Sequence, residues 1–463
     1  MHRKLQWAML PTIMALAWPT MLEQLMQTAV QYIDTAMVGS LGTEATAAVG
    51  ATTTVNWLIG SSVSALGVGF LSFISQAIGA KNKALAVRAS SQAVLVTVIC
   101  GVFFTAVTLW LSSLIPVWMQ VDENIRELSA KYFFILYLPM LPRTASIIFG
   151  SILRAAGDSK TPMRVGIVVN LINVIFNFLW IYPTRTVSLF GTEFTVWGLG
   201  KGVLGAAAAS ALAYAVGGII ITIMLYRHKD ISPKGMSLKP DSSVLKPCLK
   251  VALPNMLQRF GTSLGYVAFA SMINSLGEVS TAAHTIANTV ESAFYIPGYG
   301  MQAAAATLTG NALGARDRQK MKDLAKLLIL VEVSLMVISG GLLFIFAPDM
   351  MRIFADDSEV IRLGATVLQM VALSEPIYGV SIIIEGMLQG EGNTKTPFIF
   401  NIIGMWGIRI VGTFITIHFL SMGLVSAWGC MIGHNVLLFL MFTVYYIIRT
   451  KKQDRSEKKN EHN

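Results

Sequence analysis

Charge is scarce in this chain: only 13% of its 463 residues are Asp, Glu, Lys or Arg, while 54% are hydrophobic. That is about half the charged share of a soluble globular protein. Long apolar runs broken by short polar stretches exclude an ordinary soluble fold, because their natural solvent is lipid. Cysteine is rarer still. Cys100, Cys248 and Cys430 stand too far apart for a disulfide framework or a metal-ligand spacing. His284 and His434 are isolated, so no transition-metal cluster is expected. The chain has no G-x-x-x-x-G-K-[ST] loop, which excludes a directly bound nucleotide as the driver; Gly198, Gly200 and Gly202 fall in a connection on the outer side. The net charge of +10 is not gathered with aromatic residues on a soluble domain, so nucleic acid is not the expected partner. Nothing in these patterns indicates an enzyme.

What is present is a series of apolar runs of one length. A hydrocarbon core about 30 Å thick needs roughly 20 apolar residues per helix. That ruler predicts twelve spans, at residues 12–38, 47–75, 90–115, 129–153, 163–183, 203–226, 249–275, 283–312, 324–347, 360–388, 398–420 and 423–448. The basic start of His2, Arg3 and Lys4 runs into the first span with no small-residue cleavage site, so that stretch is expected to remain as span 1. Basic residues crowd alternate connections, among them Lys81 to Arg88, Lys160 and Arg164, 227–250, Arg316 to Lys322, Lys395 and 449–459. The other connections carry Glu44, Asp122, Glu123, Glu278, Asp356, Asp357 and Glu359. The positive-inside rule then puts both termini in the cytoplasm, on a multi-pass protein of the inner (cytoplasmic) membrane.

The strongest signal is an internal repeat. Residues 19–80, containing VGSLGTEATAA and ending in QAIGA, align without a gap on residues 254–315, containing INSLGEVSTAA and ending in NALGA. The offset of 235 returns where LRAAGDSKTP (Leu153 to Pro162) matches LQGEGNTKTP (Leu388 to Pro397). Six spans per half make the repeats parallel, related by an axis along the membrane normal. The expected fold is therefore an all-α membrane protein of twelve transmembrane helices in two parallel six-helix lobes. Its domains are expected at 1–227 (first lobe), 228–246 (cytoplasmic linker), 247–450 (second lobe) and 451–463 (charged cytoplasmic tail).

Ionisable groups inside spans are expensive and rank as functional candidates by default. Glu23 and Asp34 lie eleven residues apart in span 1, which at 3.6 residues per turn puts them within about 20° of one face and ~16 Å apart along the axis. Span 5 carries Asn170, Asn173 and Asn177 as a polar stripe that must face protein or water, as ligands or as interhelical glue. The second half holds Glu291, Glu375 and Glu385 with Arg259 and Arg409. Arg259 could pair with a glutamate of span 8 or span 10, or meet a substrate.

Taken in order, these stretches resemble the multidrug and toxic compound extrusion (MATE) transporters of prokaryotic type. The resemblance rests on YIDTAMVGSLGTEATAAVG from Tyr32 to Gly50, QAIGA from Gln76, AAHTIAN from Ala282, LTGNALGA from Leu308, and the paired GDSKTP and GNTKTP turns. It implies a two-lobed alternating-access antiporter that exports amphipathic, often cationic, compounds in exchange for H⁺ or Na⁺. It implies no other cofactor, membrane lipids and small molecules as partners, and a monomer. It also implies a coupling site of Asp34, Asn173, Asn177 and Ser210, the only place where a metal ion, Na⁺, would be expected. Asn177 stands where some members carry a second aspartate, which argues against a two-carboxylate relay. Relatives with a second-lobe sodium site have acids in spans 7 and 10, where this chain offers Thr262 and Tyr378. The repeat pairs Asp34 with Phe269. Coupling is therefore expected in the first lobe alone, with Glu23, Glu291, Glu375 and Glu385 as secondary acidic candidates. Glu291 is expected to attract cationic substrates in a cavity lined by Tyr137, Tyr295, Tyr299 and Tyr378, which together with 24 methionines suit a re-packing apolar pocket or ordinary helix packing. The competing expectation is a flippase for lipid-linked glycans or lipids from the same superfamily. Such proteins line the cavity with several arginines, and here only Arg143, Arg259 and Arg409 lie deep within spans.

Overall fold

A computed structural model describes residues 7–189 and 192–461; His2, Arg3, Lys4 and the last two residues of the tail lie outside the described residues. The helices are α1 (Leu10–Gly39), α2 (Thr43–Gly79), α3 (Lys83–Leu111), the single turn α4 (Ile115–Trp118), α5 (Glu123–Tyr137), α6 (Met140–Ala155), α7 (Lys160–Trp180) and α8 (Gly202–Arg227). The second half follows with α9 (Ser242–Asn274), α10 (Glu278–Gly314), α11 (Arg318–Arg352), α12 (Ser358–Ala372), α13 (Glu375–Gly390), α14 (Lys395–Ile402), α15 (Val411–Phe414) and α16 (Leu424–Glu461). Two π-helical stretches, Ile403–Ile410 and Ile415–Phe419, bracket α15, so that α14 to Phe419 is one rod. The pairs α5/α6 and α12/α13 are rods bent by 51° and 53°.

Among the described residues, seven helices are long and apolar enough to cross a membrane, or nine if each bent pair is one span. The three remaining expected spans lie on α1, α9 and α10, which at 30, 33 and 37 residues are long enough but more polar. The polarity comes from Glu23 and Asp34, from Lys246, Lys250 and Arg259, and from Glu278 and Glu291. Large apolar side chains point outward in a way no soluble protein tolerates, as on α3 with Val98, Ile99, Val102 and Phe103.

The repeat seen in the letters is also a repeat of backbone chemistry. Asn82 caps α3 by accepting from the Leu85 amide, and Asp317, 235 residues on, caps α11 by accepting from Lys320. The residues before those caps, Lys81 and Arg316, are both left-handed, at φ 57° and 55°. Gly157 and Gly392 take φ 86° and 81°, a conformation glycine adopts without a Cβ penalty. The next helices then start alike, with Asp158 accepting from the Thr161 amide and Asn393 from the Thr396 amide.

The chain divides into two compact units, Leu22–Leu249 and Met1–Met21 together with Lys250–Asn463. The expected boundary near the linker is therefore joined by a division within α1. The reason lies in packing: Ile13, Leu16 and Ala17 share a buried cluster with Met301, Ala304, Ala305 and Leu308 of α10. In the first unit the linker is strapped onto the start of α3. The Gln92 side chain, 3% exposed, donates to the Lys239 carbonyl and accepts from the Asp241 amide, both at 2.9 Å. Lys83 pairs with Asp230 at 3.1 Å and Arg88 with Asp241 at 3.5 Å.

One element was not anticipated. Between α7 and α8 the chain forms an antiparallel hairpin of β1 (Pro183–Leu189) and β2 (Thr192–Leu199), whose residues 190 and 191 lie outside the described residues. The alternation of Val187 and Leu189 with Thr186 and Ser188 is the strand signal, too short to stand out between two apolar spans.

Candidate functional site

In the first unit, α1 carries Asp34 to a half-buried position against α7. Asn173 and Asn177 stand one turn apart on the facing side of α7, 6% and 1% exposed. Asn177 Nδ2 donates to Asp34 Oδ1 at 2.5 Å. The Asn173 amide satisfies its neighbours when its nitrogen faces the carboxylate, donating to Asp34 Oδ1 at 2.7 Å and Oδ2 at 3.1 Å while its oxygen accepts from Ser210 Oγ at 2.9 Å. Ser210 reaches this set because α7 and α8 touch through backbone. A Cβ on Gly205 would fall 2.3 Å from the Trp180 carbonyl oxygen. The four residues expected to form one site are thus brought together, whereas Asn170, the third amide of the stripe, stays outside these bonds. One acceptor is left over: Asn177 Oδ1 is buried without a partner. The site therefore offers one carboxylate, an orphan amide oxygen and a hydroxyl in a low-dielectric interior, which can hold a single proton or monovalent cation.

Two other candidates of the first unit make internal contacts. Glu23, on α1 below Asp34, pairs with Arg154 at 3.1 Å. Tyr137, expected to line a cavity, is fully buried; its hydroxyl donates to Asn56 Oδ1 at 2.9 Å. Arg143 also donates to Asn56 Oδ1, at 2.8 Å, and lies over the rings of Tyr137 and Tyr214. Its Nη1 is buried without a hydrogen-bond partner. Tyr132, which sequence reading passed over, stands within electrostatic reach of Asp34.

The second unit answers differently at the equivalent positions. Phe269, the repeat mate of Asp34, is buried, and the Arg409 guanidinium lies 4.2 Å from its ring centre and 4.8 Å from that of Tyr266. A tethered cation thus sits where the first unit has a carboxylate. Arg409 comes from the π-helical stretch Ile403–Ile410, a distortion that its repeat mate α7 lacks and that re-aims side chains. Glu291, expected to be a lone acid meeting substrates, is 6% exposed and within electrostatic reach of Arg409. Glu385, one of the glutamates open to pairing with Arg259, is held by three side-chain amides. It accepts from Gln258 at 2.9 Å, Gln389 at 3.1 Å and Asn401 at 3.1 Å, while Arg259 Nε donates to Asn255. Tyr299 and Tyr378 share a hydroxyl–hydroxyl contact of 3.2 Å, with Tyr295 edge-on to both rings. Glu375 is buried at the start of α13, and Glu332 on α11, which sequence reading missed, is fully buried. A glutamate in the most hydrophobic stretch of α11 was itself the available signal.

The MatE family model matches residues 19–179 and 254–415, the two repeat halves. Among curated proteins the chain is 26% identical over 435 residues to the probable multidrug resistance protein NorM of Thermotoga maritima, covering 94% of this chain and 91% of that one. It is 25% identical over 447 residues to the probable multidrug resistance protein YoeA of Bacillus subtilis, covering 94% and 93%. Among solved structures, a MATE in complex with MaL6 superposes with a TM-score of 0.89 at 23% identity, over 96% of this chain and 97% of the other. A MOP superfamily transporter from Pyrococcus furiosus superposes with a TM-score of 0.85 at 23% identity over 95% of each chain. These superpositions establish the two-lobed, twelve-helix fold.

Proposed function

The chain belongs to the MatE family of multi-pass membrane transporters, and from that premise we propose that it is a multidrug exporter working by antiport, with Asp34 as its coupling group. The proposed exchange is one of amphipathic, often cationic, compounds moving outward for H⁺ or Na⁺ moving inward, carried out by a monomer in lipid. Relatives named as multidrug resistance proteins support the substrate class. The observation that carries the coupling site is the set Asp34, Asn173, Asn177 and Ser210, with one buried acceptor, Asn177 Oδ1, left without a partner. A carboxylate in that setting exchanges one positive charge for another. An incoming ion neutralises Asp34 in the outward-open state, and its loss to the cytoplasm restores the charge; differential affinity of the two states for ion and compound links the two movements. Arg409 over Phe269 supports an asymmetric cycle, because the second unit carries its own cation at the equivalent place. Arginines deep within the spans are few, Arg143, Arg259 and Arg409, which weighs against the flippase reading, since that calls for several lining the cavity.

The test is transport in proteoliposomes with proton and sodium gradients imposed separately and a fluorescent organic cation as the exported probe. Uphill movement driven by either gradient, and abolished by the matching ionophore, is the expected result. Transport that follows only the probe's own gradient would refute antiport.

A further inference from the structure

In the first unit, the last turns of α1 and α7 leave a groove of about 660 Å³ between them, within the range of ~300–1,000 Å³ that small-ligand sites occupy. Ile33 and Met37 line it from α1, and Val174, Ile175 and Phe178 from α7. Ile33, Ile175 and Phe178 remain 42%, 53% and 36% exposed. Tyr182 fixes the end of the groove: its hydroxyl donates to the Met37 carbonyl at 3.2 Å and meets Ser40 Oγ at 2.7 Å. From Val174 to the level of Tyr182 the chain rises roughly 12 Å at 1.5 Å per residue. That is most of one leaflet, half of a hydrocarbon core about 30 Å thick.

A single charged residue lines the groove, Arg185 of β1. Its guanidinium lies 4.2 Å from the ring centres of both Phe178 and Tyr182. Nη1 donates to the carbonyls of Phe178 at 3.4 Å and Pro183 at 3.5 Å, and Nη2 donates to that of Phe178 at 3.4 Å. Among the described residues no carboxylate pairs with it. Three of its five N–H groups are thus used, and the two left, on Nε and Nη2, are the adjacent pair whose spacing matches two oxygens of a phosphate. Two rings and two carbonyls already hold the guanidinium, so little further ordering opposes binding. An organic cation is a poor occupant, because the charge of the groove is positive and Arg185 itself covers the ring faces that would attract one. The positive-inside rule puts this end of α1 and α7 outside, and Trp180 at the end of α7 with the exposed Trp197 of β2 marks the head-group level. Apolar walls running inward from a cation at that level fit an amphipathic anion whose chain lies in the membrane.

We propose that this groove binds one phospholipid of the outer leaflet, its phosphate on Arg185 and one acyl chain along Ile33, Val174 and Ile175. Ile33 and Val174 adjoin Asp34 and Asn173 in sequence, so the lipid bridges the two helices that carry the polar cluster. Phosphatidylglycerol is the fitting probe, since its head group brings no ammonium to meet the Arg185 charge.

The experiment is native mass spectrometry of the full-length protein, delipidated in detergent and titrated with phosphatidylglycerol, reading the affinity of the first lipid bound. Arg185→Gln is expected to weaken it by roughly tenfold or more, the loss of charge-assisted hydrogen bonds to phosphate. Ile175→Trp, which fills the groove, should weaken it comparably. Lys201→Gln, a basic residue on the same side that does not line the groove, should leave it unchanged, and excess inorganic phosphate should not displace the lipid. Unchanged affinity in Arg185→Gln would overturn the proposal. So would an equal loss in Lys201→Gln, which would mean diffuse attraction, or displacement by phosphate, which would mean an anion site without a chain. If Ile175→Trp misfolds, Arg185→Gln decides alone: weaker binding supports the site and unchanged binding rejects it.

Discussion

Replacing Gln92 with Leu should release the linker from the first unit. The substitution keeps the approximate volume and removes two hydrogen bonds, to the Lys239 carbonyl and from the Asp241 amide, at a side chain 3% exposed. At roughly 0.5–1.5 kcal/mol each, the loss is about 1–3 kcal/mol, an increase in strap opening of roughly 5- to 150-fold. The neighbouring ion pair of Lys83 with Asp230 is 62% and 65% exposed, and such pairs contribute ~0–1 kcal/mol. Lys83→Ala should therefore open the strap less than about fivefold. Limited trypsin digestion of inside-out vesicles, read at Lys229 and Lys234, measures the opening equilibrium while reclosing outpaces cleavage. Equal effects of the two substitutions, or no effect of Gln92→Leu, would refute the reasoning. The pH dependence has a definite sign. Ser243, through its hydroxyl and its amide, and then Arg88 hold the Asp241 carboxyl below its ordinary value. Its contribution is then present above the unfolded value of about 3.9 and is lost only as pH falls through the lower folded value, so protection should be level from neutral pH down to about 5.

Other outcomes follow from the same geometry. A cysteine at Ser242→Cys should react with an impermeant maleimide only from the cytoplasmic side and one at Glu278→Cys only from outside; equal labelling in intact cells would contradict the topology. Gly390→Ala should lower the melting temperature, because its Cβ would fall 2.0 Å from the Ala306 carbonyl oxygen, an overpacking cost of about 1–3 kcal/mol. Gly50→Ala, with nothing within 4 Å, should instead gain ~0.5–1 kcal/mol of helix propensity. A thermal double-mutant cycle of Glu291→Gln and Arg409→Met should show coupling of at least ~0.5 kcal/mol; strict additivity would mean the two charges do not interact.

Much of the fold was legible because membranes impose one ruler. The apolar runs and the 235-residue offset are visible in the letters, and the same offset recurs in the left-handed Lys81 and Arg316 and in the caps Asn82 and Asp317. The first-unit cluster was legible in part: Asn173 and Asn177 share a helix face and Asp34 is an acid in an apolar span, while Ser210 was named only through the family resemblance. What escaped depends on tertiary packing. No periodicity marks α1 as splitting its contacts at Met21, the π-helical turn that delivers Arg409 onto Phe269 has no sequence signature, and Glu385 prefers three amides to Arg259 because Gln258, Gln389 and Asn401 converge from three helices.

The measurement nearest the central claim is ion-driven efflux by Asp34→Asn in proteoliposomes, alongside equilibrium binding of the same organic cation. Asparagine keeps the shape and removes the exchangeable charge, so uphill efflux should vanish while binding stays measurable. Phe269→Ala, at the equivalent place in the second unit, should lose stability but keep coupling. Full gradient-driven efflux by Asp34→Asn would contradict the account and move the coupling group elsewhere.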